Sequence, residues 1–270
     1  MTLTQLFEYS FFTNAVIGIA IIAVAAAMIG TYIISRRLVA ISGGITHACF
    51  GGLGLGYFLG ISPIATAALF AVGSSLGVEL MSNRYRVRED SAIAVVWAVG
   101  MAIGVIFVFL TPGYVPELNS FLFGNILTIT REDLWVFALF TVLLLLFFAR
   151  RFKVIVAVAF DRDFAKVSGL PVNYISTMMT VAVAVCIVLT IKLVGIMLLM
   201  SMLSLPQLIS EIFTSRFRSM MVLSCIISLI GSLGGLFLSA YIDVPCSALI
   251  VGVFCVIFII CKIVALWLKR

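Results

Sequence analysis

The 270 residues are 64% hydrophobic and only 10% charged, with a mean hydropathy of +1.30, a balance that excludes a water-soluble domain. The formal charge of +6 is not a nucleic-acid signal, because Lys and Arg fall in short gaps between apolar runs, where they set membrane orientation. The six cysteines are scattered through apolar segments without metal-ligand spacing, so they imply neither disulfides nor a zinc knuckle.

Apolar runs of about 20 residues, long enough to cross ~30 Å of hydrocarbon, predict spans near 12–34, 39–59, 62–82, 91–111, 134–152, 174–191, 193–213, 220–240 and 246–266. The expected fold is all-α and polytopic, with nine transmembrane helices, or eight if a closely spaced pair merges. A β-barrel is excluded because runs such as 134–148 show no alternation. The first run has no basic leader and no small-residue cleavage pattern, and is expected to be retained as a span. With the N-terminus outward, Arg36, Arg37, Arg84, Arg86, Arg88, Arg150, Arg151, Lys153, Arg162, Lys166, Arg216, Arg218, Lys269 and Arg270 lie on the cytoplasmic side. Only Arg131 and Lys192 are then left on the other, as the positive-inside rule asks.

The second run holds the only histidine, His47, in Ile41-Ser42-Gly43-Gly44-Ile45-Thr46-His47-Ala48-Cys49-Phe50-Gly51-Gly52-Leu53-Gly54. An ionisable ring inside a membrane-length helix is costly and marks a functional site by default. Three roles stand open for it: a transient metal ligand, a proton-linked or gating group, and a buried ring hydrogen-bonded to a neighbouring helix. Gly43, Gly44, Gly51 and Gly54 either permit close helix approach or expose backbone carbonyls to a cavity. Cys49, about 200° around the helix from His47, is left out of the site.

Further along, residues 121–130 are too short to span and predict a helix at or dipping into the outer face. The segment 150–173 carries Phe160-Asp161-Arg162-Asp163-Phe164-Ala165-Lys166-Val167-Ser168-Gly169-Leu170-Pro171, in which Asp161, Ala165 and Gly169 recur every four residues and share a helix face. Gly169-Leu170-Pro171 then stops the helix. Glu211 lies near the cytoplasmic end of an apolar span beside Pro206 and is either a pathway carboxylate or a solvated helix end near Arg216. Glu79 has the same two readings, closer to the water interface, and Asp243 reads as a turn or capping residue.

Taken in order, several stretches resemble the permease subunit of the bacterial ABC transporters that import zinc, manganese or iron(II), over nearly the whole chain. They are the histidine-and-glycine span, Arg88-Glu89-Asp90-Ser91-Ala92-Ile93, Phe121-Leu122-Phe123-Gly124-Asn125-Ile126-Leu127 and the Asp161/Ala165/Gly169 segment. Leu193-Val194-Gly195-Ile196-Met197-Leu198-Leu199, Leu205-Pro206, Thr214-Ser215-Arg216-Phe217-Arg218 and Tyr241-Ile242-Asp243-Val244-Pro245 continue the match. The resemblance implies one permease domain over 1–270 in the bacterial cytoplasmic membrane, surrounded by lipid and working as a homodimer. It further implies a pair of ATP-binding subunits docked on a cytoplasmic coupling helix near 160–170, where Asp161, Ala165 and Gly169 couple the motor to the spans. An extracytoplasmic metal-binding protein would deliver the ion; 121–130 is either part of the docking surface for it or a surface helix without partner contact.

The chain has no Gly-x-x-x-x-Gly-Lys-Ser/Thr loop, so ATP hydrolysis belongs to another subunit. No permanently bound cofactor is expected, only a transported divalent metal, zinc first and manganese or iron(II) next. Members of the family carry Asp-x-x-x-His in the second span, an acid and an imidazole on one helix face; His47 matches, and Gly43 stands where the acid would be. Glu211 is the first candidate to replace it. The alternatives are an ABC permease for a metal chelate or organic cofactor, and an ion-gradient-driven transporter in which His47 and Glu211 carry protons.

Overall fold

The computed structural model describes residues 8–112, 124, 126, 129–242 and 244–268. All regular elements among them are helices: α1 (Ser10–Ser35), α2 (Val39–Leu59), α3 (Pro63–Tyr85), α4 (Glu89–Leu110), α5 (Arg131–Phe160), α6 (Arg162–Val167), α7 (Val172–Phe213), α8 (Phe217–Ile242) and α9 (Cys246–Leu268). Eight of them, all but α6, are long and apolar enough to cross a membrane. The predicted spans 174–191 and 193–213 are joined in α7, whose 42 residues would reach about 63 Å if straight, roughly twice the hydrocarbon thickness. Gly195, at φ 79° and ψ 172°, divides α7 into two pieces of span length. That conformation is open essentially only to glycine, which is why two apolar runs one residue apart in hydropathy need no loop between them.

The helix ends follow from local sequence. Gly60, at φ 67°, closes α2, its N–H donating to the Tyr57 carbonyl at 3.3 Å while the Ile61 N–H reaches the Gly56 carbonyl at 3.1 Å. At the start of α5, the Thr130 hydroxyl accepts from the Asp133 N–H at 3.2 Å and the Asp133 carboxylate accepts from the Thr130 N–H at 3.3 Å, a reciprocal cap. Pro206 inside α7 has no N–H to offer the Met202 carbonyl one turn back. The Gln207 side chain supplies the donor, with Nε2 at 3.2 Å from that carbonyl and 2.9 Å from the Ala26 carbonyl of α1.

Two compact units divide the chain, and neither is continuous in sequence. The first comprises Met1–Ile34, Asn119–Arg150 and Leu193–Arg270; the second comprises Ser35–Leu118 and Arg151–Lys192. In the first unit α1 is the buried element: 78% of its most apolar window is inside. Its small side chains admit neighbours closely, and a Cβ on Gly30 would meet the Gln207 side chain. Asn14 Nδ2 donates to the Ile129 carbonyl at 3.0 Å, and Phe12 packs on Phe237 at 5.6 Å between ring centroids. α8 and α9 meet where Gly231 accepts the Phe254 ring and Gly235 accepts Ile250.

In the second unit α2 is the buried helix, flanked by α3 and α4. A Cβ on Gly100 would lie 2.5 Å from the Ala48 Cα, and one on Gly104 2.5 Å from the Phe50 carbonyl oxygen. Gly54 meets the Gly104 backbone, Gly44 meets Ile93, and Gly51 meets Phe70, whose ring would lie 2.6 Å from an added Cβ and leaves no room for one. This is packing through small residues, the mode available to helices that gain nothing from expelling water in a bilayer. The Arg36 guanidinium pairs with the Glu89 carboxylate at 2.7 Å, half hidden from solvent, and ties the start of α4 to the segment entering α2.

Gly100→Leu should therefore separate α2 from α4 and lower stability by about 1–3 kcal/mol. Gly73→Ala, whose added Cβ meets nothing within 4 Å, should leave stability near the native value. Thermal unfolding of the two purified proteins in the same detergent checks both outcomes.

Candidate functional site

His47 sits on α2 just beside the glycine seam with α4. Its ring lies flat on Trp97 of α4, with centroids 4.6 Å apart and planes 2° from parallel; the Phe50 ring stands at 6.1 Å, inclined by 16°. The His47 side chain is half-buried, and its Nδ1 is buried without a hydrogen-bond partner among the described residues. Of the three roles left open by the sequence, the ring hydrogen-bonded to a neighbouring helix is thus not what the structure shows. The ring is oriented by stacking, which holds its plane without occupying the nitrogens at its edge.

The neighbouring polar side chains look after themselves. Thr46 Oγ1 donates to the Ser42 carbonyl at 2.5 Å, and Cys49 Sγ to the Ile45 carbonyl at 3.1 Å, each one helical turn back. Cys49 is buried. Gly44, Gly51 and Gly54 serve close approach, their faces filled by Ile93, Phe70 and the Gly104 backbone. Gly43 is buried and supplies no carboxylate one turn before His47.

Glu211 occupies the last turn of α7 and is exposed. It belongs to the first unit, whereas His47 belongs to the second. Its surroundings are those of a helix-end carboxylate, although Arg216 does not pair with it. Among the described residues no three His, Cys, Asp or Glu side chains cluster to hold a metal ion. Glu79 lies in the second unit, half-buried, where Thr177 Oγ1 donates to its Oε1 at 3.4 Å. Asp243, Glu117 and most of 121–130 lie outside the described residues.

The predicted coupling segment contains the short helix α6, and only part of the expected shared face survives in it. Asp161 is the N-cap, its carboxylate accepting from the Phe164 N–H at 2.8 Å. Ala165 is the inward residue, at 0% exposure. Gly169 lies beyond the helix end at φ 73°, so its four-residue spacing marks the stop. Phe160, Phe164 and Val167 are exposed, Val167 by 89%, an apolar surface on a segment otherwise rich in charge. The ten residues 151–160, expected in the connector, instead continue α5.

Sequence reasoning did not find Trp97. The signal available was Gly100-x-x-x-Gly104, a small-residue seam that places α4 against a glycine-rich partner and therefore puts an aromatic one turn earlier beside that partner's side chains.

The profile of the ABC 3 transport family matches residues 8–265. A probable metal transport system membrane protein of Chlamydia pneumoniae is 34% identical over 229 residues, covering 83% of this chain and 78% of that protein. The manganese transport system membrane protein MntC of Halalkalibacterium halodurans is 29% identical, covering 94% and 87% respectively. The solved structure of PsaBC from Streptococcus pneumoniae in complex with Fab resembles this fold with a TM-score of 0.83 at 25% identity, over 96% of this chain and 93% of that one. Eight membrane-length helices in a fold like that of the solved PsaBC structure, with the family match over residues 8–265, make this chain a multi-pass membrane protein that belongs to the ABC 3 transport family.

Proposed function

We propose that this chain is the membrane-spanning subunit of an ATP-driven importer of a divalent metal ion in the bacterial inner membrane. It would work with a second copy of itself, a pair of ATP-binding subunits and an extracytoplasmic metal-binding protein. The observation that carries this reading is the family match along residues 8–265, reinforced by relatives named for metal and for manganese transport. Membership in an ABC family leaves the ion-gradient alternative without support.

The site fits a conduit better than a store. One imidazole, oriented by Trp97 and unencumbered by protein hydrogen bonds, offers a divalent ion a single weak ligand. Weak binding suits a path from which the ion must leave, and a second copy would supply a second His47. Manganese moves ahead of zinc as the cargo, with iron(II) next. A tight zinc site is usually a closed tetrahedron of His, Cys or carboxylate ligands, and the described residues contain no such group.

Elemental analysis of metal-limited cells lacking this protein should show manganese restored by the native chain and not by His47→Ala, a loss of about tenfold, or ~1.4 kcal/mol. Trp97→Phe keeps an aromatic face over His47 and should retain most of the uptake; Trp97→Ala should fall between the two. Restoration by His47→Ala to the native level would remove His47 from the pathway.

The exposed apolar residues of α6 would dock the ATP-binding subunit, with Asp161 and Gly169 delimiting the helix and buried Ala165 seating it on the spans. A short rigid element between two spans can pass motor closure into the membrane. Phe164→Asp and Val167→Asp should leave the protein in the membrane yet abolish copurification of the ATP-binding subunit. Unchanged copurification and uptake would overturn this placement.

A further inference from the structure

In α3, Glu79 and Asn83 are four residues apart; at the start of α7, Asn173 and Thr177 are four apart. Each pair therefore shares a helix face. The structure turns the two faces toward each other. Thr177 Oγ1 donates to Glu79 Oε1 at 3.4 Å, and all four side chains line one cavity of about 580 Å³. Gly73 and Gly77 form part of the same wall, and a Cβ on either would meet nothing within 4 Å.

Leu76 and Leu80 make much of this lining apolar, and its polar groups present oxygen ligands: one carboxylate, two carboxamide oxygens and a hydroxyl, with no nitrogen base or thiol. Such donors select hard cations of the manganese and magnesium kind over copper or zinc. The carboxylate is half-buried, its one hydrogen bond is long, and no Lys or Arg among the described residues forms an ion pair with it. A partly desolvated charge without a counter-charge favours a cation beside it. Six water molecules at about 30 Å³ each occupy about 180 Å³, so an octahedral aqua ion fits with its shell largely intact.

We propose that Glu79, Asn83, Asn173 and Thr177 form a second, low-affinity station for a hydrated divalent cation. It lies at the end of α3 that carries Arg84 and Arg86, the cytoplasmic end under the positive-inside rule. The proposal rests on the metal-conduit reading above and adds an exit station to it. A single carboxylate acting through water holds an ion briefly, which is what the last site before release requires.

The test is Mn²⁺ titration, followed by electron paramagnetic resonance, of the purified full-length chain in nanodiscs of phosphatidylcholine, whose zwitterionic headgroups give Mn²⁺ little to bind. Glu79→Gln should weaken Mn²⁺ binding about tenfold. Glu79→Asp should retain most of it, and Asn83→Ala with Asn173→Ala should give an intermediate loss while keeping the charge. His47→Ala should leave the component that depends on Glu79 in place. Equal Mn²⁺ binding by native, Glu79→Gln and the double asparagine variant overturns the station. The assay needs no ATP-binding subunit, so binding that depends on Glu79 upholds the station even if the chain restores no metal uptake in cells; that second result would instead defeat the importer reading.

Discussion

The contact on which the second unit depends is the glycine-mediated approach of α2 and α4. Because Gly100 meets Ala48 and Gly104 meets Phe50 and Gly54 so closely that a Cβ would clash with the facing backbone, the approach of the two helices fixes where the other residues of the facing surfaces lie. In water such an approach would add to hydrophobic burial. In a bilayer, where lipid tails are as apolar as leucine, dispersion between well-fitted backbones is the main gain available. The same seam brings Trp97 over the ring of His47.

Polar atoms in this environment have to be accounted for locally. Thr46, Ser42, Thr141, Ser201 and Ser210 return their hydroxyls to carbonyls of their own helix. Gln207 repairs the gap left by Pro206 and at the same time ties α7 to α1. His47 departs from this pattern: its polar edge is held ready by a ring contact and receives no return bond. In the first unit the Thr31, Ser228 and Ser232 hydroxyls and the Gln207 carboxamide oxygen are also buried without a partner among the described residues, neutral groups whose burial costs less than that of a charged ring would.

How much of this could be read from the chain depended on the range of the interaction. Hydropathy placed every long helix, because a run such as Glu89–Leu110 declares its span by composition alone. It left open whether the two halves of α7 were separate or merged, and did not reveal the Gly195 dihedral that joins them without a loop. The lone histidine and the four-residue spacing of Asp161, Ala165 and Gly169 singled out these positions, and the family resemblance added their expected roles. It did not expose Trp97, fifty residues away from His47, or the pairing of Glu79 with Thr177 across 98 residues, since neither periodicity nor spacing within one helix encodes which faces of two helices meet. Glu211, which the sequence left as either a pathway carboxylate or a solvated helix end, is exposed in the last turn of α7.

The interleaving of the two units bears on how the protein is made. The second unit has its last segment by Lys192, so its helices can settle while the remainder is still on the ribosome. The first unit opens with α1 and is completed only by Leu193–Arg270. The partners that cover α1, Gln207 and Phe237 among them, are translated some 180 residues or more after it. Until then a helix that ends up mostly buried has only the partners near Ile129 and Leu134 to cover it. Cotranslational membrane assembly of this chain would therefore complete the second unit first and close the surroundings of α1 last.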